Sequence, residues 1–135
     1  MRYRNGHYQY SEKEMARRIR RLWFQLRWFG GFDVLVTHAP LRGFHDGDDL
    51  CHTGFEAFRP LLERYQPKYF LHGHMHMNYG AKTPRLSMYG DTVVINGYRT
   101  YDFEYDSADV RTEAEKFREP AQSCNACTKS GILVP

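Results

Sequence analysis

The stretch "LHGHMH", Leu71–His76, places three histidines within five consecutive positions near the middle of the chain. Directly before the histidines lies "KYFL", residues 68–71, a short apolar run typical of a buried β-strand. Residues two apart in an extended segment project to the same side, so the rings of His74 and His76 can act together. The stretch therefore predicts metal ligands just beyond the C-terminal end of a strand. His72 still lies within that strand. The sequence does not decide between a place in the core and a role in supporting the ligands.

A second histidine, His38, follows another predicted strand. "DVLVT", residues 33–37, is continuously apolar at its centre and β-branched, which is typical of a strand buried on both faces. In open α/β sheets, binding sites collect at the carboxyl ends of the strands. We therefore expect His38, His74 and His76 to lie at one sheet edge. Histidines so placed could serve two metals about 3.5 to 4 Å apart, as in two-metal hydrolytic centres.

Helix signals flank these strands. Ser11–Glu14 forms a capping box, and an apolar stripe at helical spacing follows it up to Gly30 and Gly31, which end the helix. The pattern predicts one amphipathic helix over residues 12–29, buried through Met15, Ile19, Leu22, Leu26 and Phe29. A second capping box at Thr53–Glu56 predicts a helix to Tyr65, with a late start or a kink caused by Pro60.

The C-terminal third contains further predicted elements. Residues 92–96 and 99–104 are predicted as two strands joined by a tight turn at Gly97, and residues 108–118 as a short helix. The order of elements predicts an α/β fold with a partial layered sheet and flanking helices. Cys124 and Cys127 form a single CxxC motif in the polar tail, which fits free thiols better than a zinc site.

Length and composition favour one small globular domain. The chain has 135 residues, 41% of them hydrophobic, and a net charge of +3. The N-terminal residues lack the apolar core of a signal peptide, no apolar run is long enough to span a membrane, and the three cysteines favour a reducing compartment. These features predict a cytoplasmic protein. The arginines at positions 17, 18, 20, 21 and 27 fit a solvated helix face better than a nucleic-acid-binding surface.

Two motifs together resemble the C-terminal half of the calcineurin-like metallophosphoesterases. "THAP", residues 37–40, and "HGHMH", residues 72–76, match the family's last two metal motifs, and the resemblance covers about residues 1–105. It implies the C-terminal half of the family's αββα sandwich. Beyond Tyr105 the composition turns polar, which predicts a partly disordered extension over residues 106–135. The resemblance also implies that His38 and His74 bind one divalent ion and His76 a second, with Mn, Fe, Zn and Mg all remaining possible. The implied substrate is a phosphate mono- or diester, attacked by a metal-bridging hydroxide.

The chain departs from the family pattern in its first half. No Asp-x-His precedes the first strand, and Gly-Asn-His-Asp/Glu is absent from the sequence. Gly47–Asp48 and Gly90–Asp91 follow His38 and so stand in the wrong order. The bridging aspartate, the asparagine ligand and the family's catalytic histidine are therefore missing. The resemblance implies half of a dinuclear site, inactive alone, in a truncated product or in one piece of a split enzyme with an N-terminal complementing chain.

The loop of residues 41–53 lies over the predicted site. Arg42 is a candidate phosphate contact and His52 a candidate supporting residue, whereas its other polar residues fit a solvated turn as well as a metal site; these are His45, Asp46, Asp48 and Asp49. Two alternatives to a phosphoesterase remain. One is a non-catalytic metal- or phosphate-binding interaction module derived from the family, and the other is nucleic-acid binding through the arginine-rich helix.

Overall fold

The structure, a computed structural model, describes residues 9–77, 84–105 and 108–119. Its helices are α1 (Glu12–Arg21), α2 (Trp23–Phe29), a 3₁₀ turn (Glu56–Phe58), α3 (Arg59–Tyr65) and α4 (Ala108–Glu115). Its strands are β1 (Val34–Thr37), β2 (Tyr69–His72), β3 (Leu86–Tyr89), β4 (Thr92–Asn96) and β5 (Arg118–Glu119). They form one sheet in the order β1-β2-β4-β3-β5, in which only β3 and β4 pair antiparallel. The predicted α/β class with flanking helices is confirmed.

The central strands carry apolar side chains on both faces because both faces are covered. Phe70 and Val94 belong to a cluster on the side of α3, here called the α3-side cluster, with Leu41, Phe44, Phe58, Leu62 and Tyr89. The alternate residues belong to the α4-side cluster, which consists of Tyr69, Leu86, Met88, Val93, Ile95 and Ala114. This two-sided burial explains the continuous apolar runs of β2 and β4.

The prediction of one helix over residues 12–29 is wrong, because the helix breaks at Leu22. The amide of Leu22 donates to the carbonyl of Ile19 at 2.9 Å, which closes α1 in a tighter turn before α2 begins. Both ends are confirmed. The Ser11 hydroxyl accepts the Glu14 amide, the Glu14 carboxylate accepts the Ser11 amide, and Gly30 ends α2 with a φ of +75°.

Only the first half of the predicted apolar stripe packs against the sheet. Met15 and Ile19 contact the α3-side cluster. In contrast, Leu22 and Phe29 are 46% and 78% exposed, and the aromatic side chains of Trp23, Phe24 and Trp28 are exposed as well. Leu26 is half-buried, and nothing in the described part of the protein covers the exposed aromatic side chains of α2.

Strand β1 was predicted to be buried on both faces, and this prediction is wrong. It lies at the edge of the sheet, where Leu35 packs on the α3-side cluster while Val34 and Val36 are 37% and 70% exposed. Its apolar sequence is that of a central strand. Its position among the described elements is that of an edge strand.

The predicted hairpin has the wrong partner. Strand β4 matches the prediction, but residues 99–104 form no strand, and β4 instead pairs antiparallel with β3. The turn between β3 and β4 falls at Gly90, whose φ of +60° glycine adopts at little cost.

The second predicted helix begins late, as Pro60 indicated. Thr53 does not cap it, because its hydroxyl donates to the Asp49 carbonyl at 2.8 Å, and the 3₁₀ turn precedes α3. Near the C-terminus, α4 confirms the predicted short helix and places Ala114 in the α4-side cluster. Cys124, Cys127 and the expected disorder of the tail lie outside the described residues. None of the helices in the described part combines the length and apolar character needed to cross a bilayer.

Candidate metal site

The parallel pairing of β1 with β2 places the two histidine motifs at one edge. Thr37 pairs with His72, so the segments beginning at His38 and Gly73 leave the sheet side by side. The Gly73 amide donates to the His38 carbonyl at 3.0 Å and continues the pairing by one step. This is the adjacency that the strand-end rule predicts.

His38 and His74 contact each other directly. The distance from His38 Nε2 to His74 Nδ1 is 3.0 Å, and the ring centroids are 4.9 Å apart. His74 Nε2 lies 2.5 Å from the Cys51 carbonyl, which can only accept, so Nε2 of His74 carries the proton. When both rings are neutral, His38 Nε2 then donates to His74 Nδ1. His38 Nδ1 keeps its lone pair, which is the form a metal ligand needs.

The electrostatic surroundings favour the neutral form of His38. Burial lowers its pKa from the ordinary value, and the nearby His74 and His76 lower it further, because a positive charge on any of these rings disfavours a second. A neutral imidazole is the ligating state, so this shift suits a metal-binding role.

His76 lies apart from the other two rings. It is exposed, and its ring stacks on Tyr98 with centroids 4.9 Å apart and an interplanar angle of 29°. Its charge still lowers the pKa of His38, so the ring lies within electrostatic reach of that residue without touching it. Of the three predicted ligands, His38 and His74 therefore contact each other, whereas His76 stacks on Tyr98 nearby.

Asn96 fixes the segment that carries His74 and His76. Its amide nitrogen donates to the Met75 carbonyl at 2.9 Å, and its side-chain oxygen accepts the Tyr98 amide at 3.0 Å. Asn96 directly precedes Gly97, where the sequence predicts a tight turn. Its function in the loop was not predicted because Met75 is 21 positions away along the chain. His74 has a φ of +65°, so a strained backbone position is held by these contacts.

The described residues alone do not form a complete metal site. Among residues 9–77, 84–105 and 108–119, no group of three or more histidine, cysteine, aspartate or glutamate side chains is arranged to hold an ion. His38 fits the imidazole part of a ligand set, since its Nδ1 is free and its lowered pKa favours the neutral form. Both ring nitrogens of His74 are engaged, by His38 and by the Cys51 carbonyl, so His74 would bind an ion only after giving up one of these contacts. The carboxylate part has no counterpart next to them in this part of the chain.

His52 and Arg42 both lie near the pair. The His52 ring centroid is 5.2 Å from that of His74, and His52 Nδ1 lies 2.8 Å from the Asp49 carboxylate. Arg42 borders the same cavity as His38 and His74, and its Nη2 is 3.6 Å from Glu12 Oε2. The other acidic residue of the loop with a defined contact, Asp46, accepts the Gly54 amide at 3.1 Å and stabilises the loop itself.

His45 belongs to a separate, buried network that the sequence did not indicate. His72 Nδ1 donates to the Gly73 carbonyl at 3.0 Å, so its Nε2 accepts from His45 Nδ1 at 2.9 Å. His45 Nε2 in turn accepts the Ser87 hydroxyl. Burial lowers the pKa of His45 to about 3 and that of His72 to about 4. Both rings are therefore neutral near pH 7, and the candidate ligand His45 lies in this network, away from the pair of His38 and His74.

A comparison with protein families decides which group this arrangement belongs to. A family model for calcineurin-like phosphoesterases matches residues 3–78, more than half of the chain. The chain belongs to the calcineurin-like phosphoesterase family. The matched region includes α1, β1, β2 and all three predicted metal ligands, and members of this family are generally metal-dependent. No curated protein and no solved structure gives a significant match.

Proposed function

We propose that this chain contributes the imidazole part of a metal-dependent phosphoesterase centre that hydrolyses a phosphate mono- or diester. The observation that carries the proposal is the contact of His38 with His74, 3.0 Å apart at the shared edge of β1 and β2 in a calcineurin-like phosphoesterase chain. His38 and His74 serve one divalent ion and His76 a second. The carboxylate ligands come from a polypeptide segment outside the described residues, and the chain is inactive without it.

Two loop residues support this centre in the proposal. His52 is tied to Asp49 and lies against His74, where it restricts the rotation of that ring. Arg42 has a buried Nε with no hydrogen-bond partner among the described residues, and its guanidinium offers donors to an anion beside His38. A guanidinium suits a phosphoryl group because its fork of N–H donors matches two phosphate oxygens.

Metal binding provides the first test. Titration of the ¹⁵N-labelled chain with Zn²⁺ or Mn²⁺ should perturb the ring resonances of His38 and His74 first, and His38→Ala or His74→Ala should weaken the binding at least about tenfold. His45→Gln is the matched control, since the ring of His45 contacts His72 and Ser87 and takes no part in the proposed centre. Equal binding by the His74→Ala and His45→Gln proteins would overturn the ligand assignment.

Activity provides the second test. We expect hydrolysis of p-nitrophenyl phosphate or bis(p-nitrophenyl) phosphate only after addition of an N-terminal phosphoesterase half that carries Asp-x-His and Gly-Asn-His-Asp. His74→Ala should abolish that activity, and a chelator should do the same. Activity that survives both changes would contradict the proposal.

A non-catalytic metal- or phosphate-binding module is the second candidate function. It is favoured by the lack of a carboxylate beside His38 and His74 within the described residues. This alternative expects metal binding without turnover even in the presence of the complementing half, so the activity assay separates the two.

A further inference from the structure

Strand β1 presents a free hydrogen-bonding edge. The Asp33 carbonyl accepts the Tyr69 amide at 3.1 Å, which shows that residues 33, 35 and 37 direct their backbone groups towards β2. Val34 and Val36 therefore direct their N–H and C=O groups the opposite way. No other strand among the described elements pairs with that side, because β1 ends the sheet order. Such an edge is a template for an additional strand.

A large cavity lies at the C-terminal end of this edge. Its volume is about 810 Å³, and one wall consists of four consecutive residues, Val36–Ala39. The opposite wall contains apolar side chains of α1 and of the segment that leads into α3, namely Met15, Phe55 and Phe58. A mostly apolar space beside the last two residues of an edge strand suits the end of an extended peptide, whose main chain pairs with the edge and whose last side chains enter the space.

The cavity carries a positive charge on Arg42. His38, His74 and Arg42 all border it, and the buried Nε of Arg42 has no hydrogen-bond partner in the described part of the chain. The acidic group that forms an ion pair with Arg42 is Glu12, at the long distance of 3.6 Å. The outer face of α1 adds further exposed cations, Arg17, Arg18, Arg20 and Arg21. A carboxylate in the occupant would complement this charge.

We propose that the cavity receives an extended polypeptide segment that pairs with β1 in parallel and carries a carboxylate at its C-terminal end. The direction follows from the sheet, in which β1, β2 and β4 run parallel and direct their carboxyl ends towards His38 and His74. A parallel strand of similar length would end beside these rings and Arg42, with its apolar residues under α1. The role of the carboxylate as a metal ligand rests on the proposed function, whereas the docking itself requires neither metal nor substrate.

Amide hydrogen exchange on the ¹⁵N-labelled chain tests the docking without metal. The probe is a short acetylated peptide of alternating valine and threonine that ends in aspartate, used at millimolar concentration. We expect it to slow exchange at the Val34 and Val36 amides at least about tenfold, with little change at Leu35 and Thr37, whose amides already face β2. The resonances of His38 and His74 should shift at the same time.

Three controls isolate the features of the inference. A peptide N-methylated on alternate amides cannot form the ladder and should give no protection. The same residues in reverse order place aspartate at the wrong end and should leave the histidine resonances unshifted. Val36→Pro removes one outward N–H and is tolerated at an edge, whereas Val36→Thr keeps it, so the first should abolish peptide binding and the second should retain it.

The outcomes separate this inference from the proposed function. Absence of protection by the probe, or equal protection by the N-methylated peptide, would overturn the docking whatever the metal titration gives. Protection of Val34 and Val36 without peptide would also overturn it. Protection that increases with protein concentration would come from a second copy, and protection that does not would come from a segment of this chain outside the described residues. Selective protection with a failed metal titration would leave the docking standing and sink the proposed metal centre.

Discussion

Two regions of this chain are both apolar in sequence but differ in burial. In the closed region, made of β2, β3 and β4 with α3 and α4, Tyr69, Phe70 and Val94 are 0% exposed. In the open region, made of β1 and α2, Trp28 and Val36 are 74% and 70% exposed. The apolar pattern is the same in kind. Only the presence of a covering partner differs between them.

The difference shows that an apolar pattern encodes a need for burial but does not name what provides it. An exposed group of large apolar side chains on this scale indicates an interaction surface. The candidate site lies on the boundary of the two regions, because His38 follows the open strand β1 and His74 the closed strand β2. Completion of the site and covering of the open region are therefore expected to occur together.

The largest expected effect comes from truncating one aromatic side chain in each region, which tests the difference in burial directly. Phe70→Ala removes a fully buried ring from the closed region and should lower the free energy of unfolding by about 3 to 5 kcal/mol, or abolish cooperative unfolding. Trp28→Ala removes a larger ring from the open region and should change it by less than about 0.5 kcal/mol. Urea denaturation measures both. Similar costs at the two positions would show that α2 is covered in solution.

Acid should destabilise the closed region through His45. Its pKa is about 3 in the folded chain and 6.5 as the ordinary value, so the unfolded state binds more protons between these limits. The stabilisation is complete above pH 6.5 and decreases as the pH falls towards 3, at up to about 1.4 kcal/mol per pH unit.

Chemical denaturation across this pH range, on the parent chain and on His45→Gln, checks the expectation. The glutamine can still donate to His72 and accept from Ser87 but does not titrate, so the slope should become shallower. Trp28→Ala, in the open region, is the control and should keep the parent slope. An unchanged slope in His45→Gln would show that this ring is not buried in the neutral form.

The smallest expected effect concerns the cap that begins α1. Ser11→Ala removes the hydroxyl that accepts the Glu14 amide and should cost about 1 kcal/mol, whereas Ser11→Asp should retain most of the stability. Thermal unfolding followed by circular dichroism measures the change. A cost well above this value would mean that α1 contributes more to the fold than its partly exposed packing on the α3-side cluster suggests.

The sequence determined the features that depend on neighbouring residues. The capping box at Ser11, the helix end at Gly30 and the strands that end just before His38 and Gly73 all follow from local backbone preferences and short-range periodicity. The meeting of His38 with His74 could also be predicted, because consecutive parallel strands share one edge.

Only the tertiary structure decided which partner each element meets. The pairing of β4 with β3, the edge position of β1 and the separation of His76 on Tyr98 depend on register and topology. The chain from Ser87 through His45 to His72 joins residues 42 and 27 positions apart. No local pattern carries that information, because the free energy of such contacts arises only once distant segments pack together and exclude water.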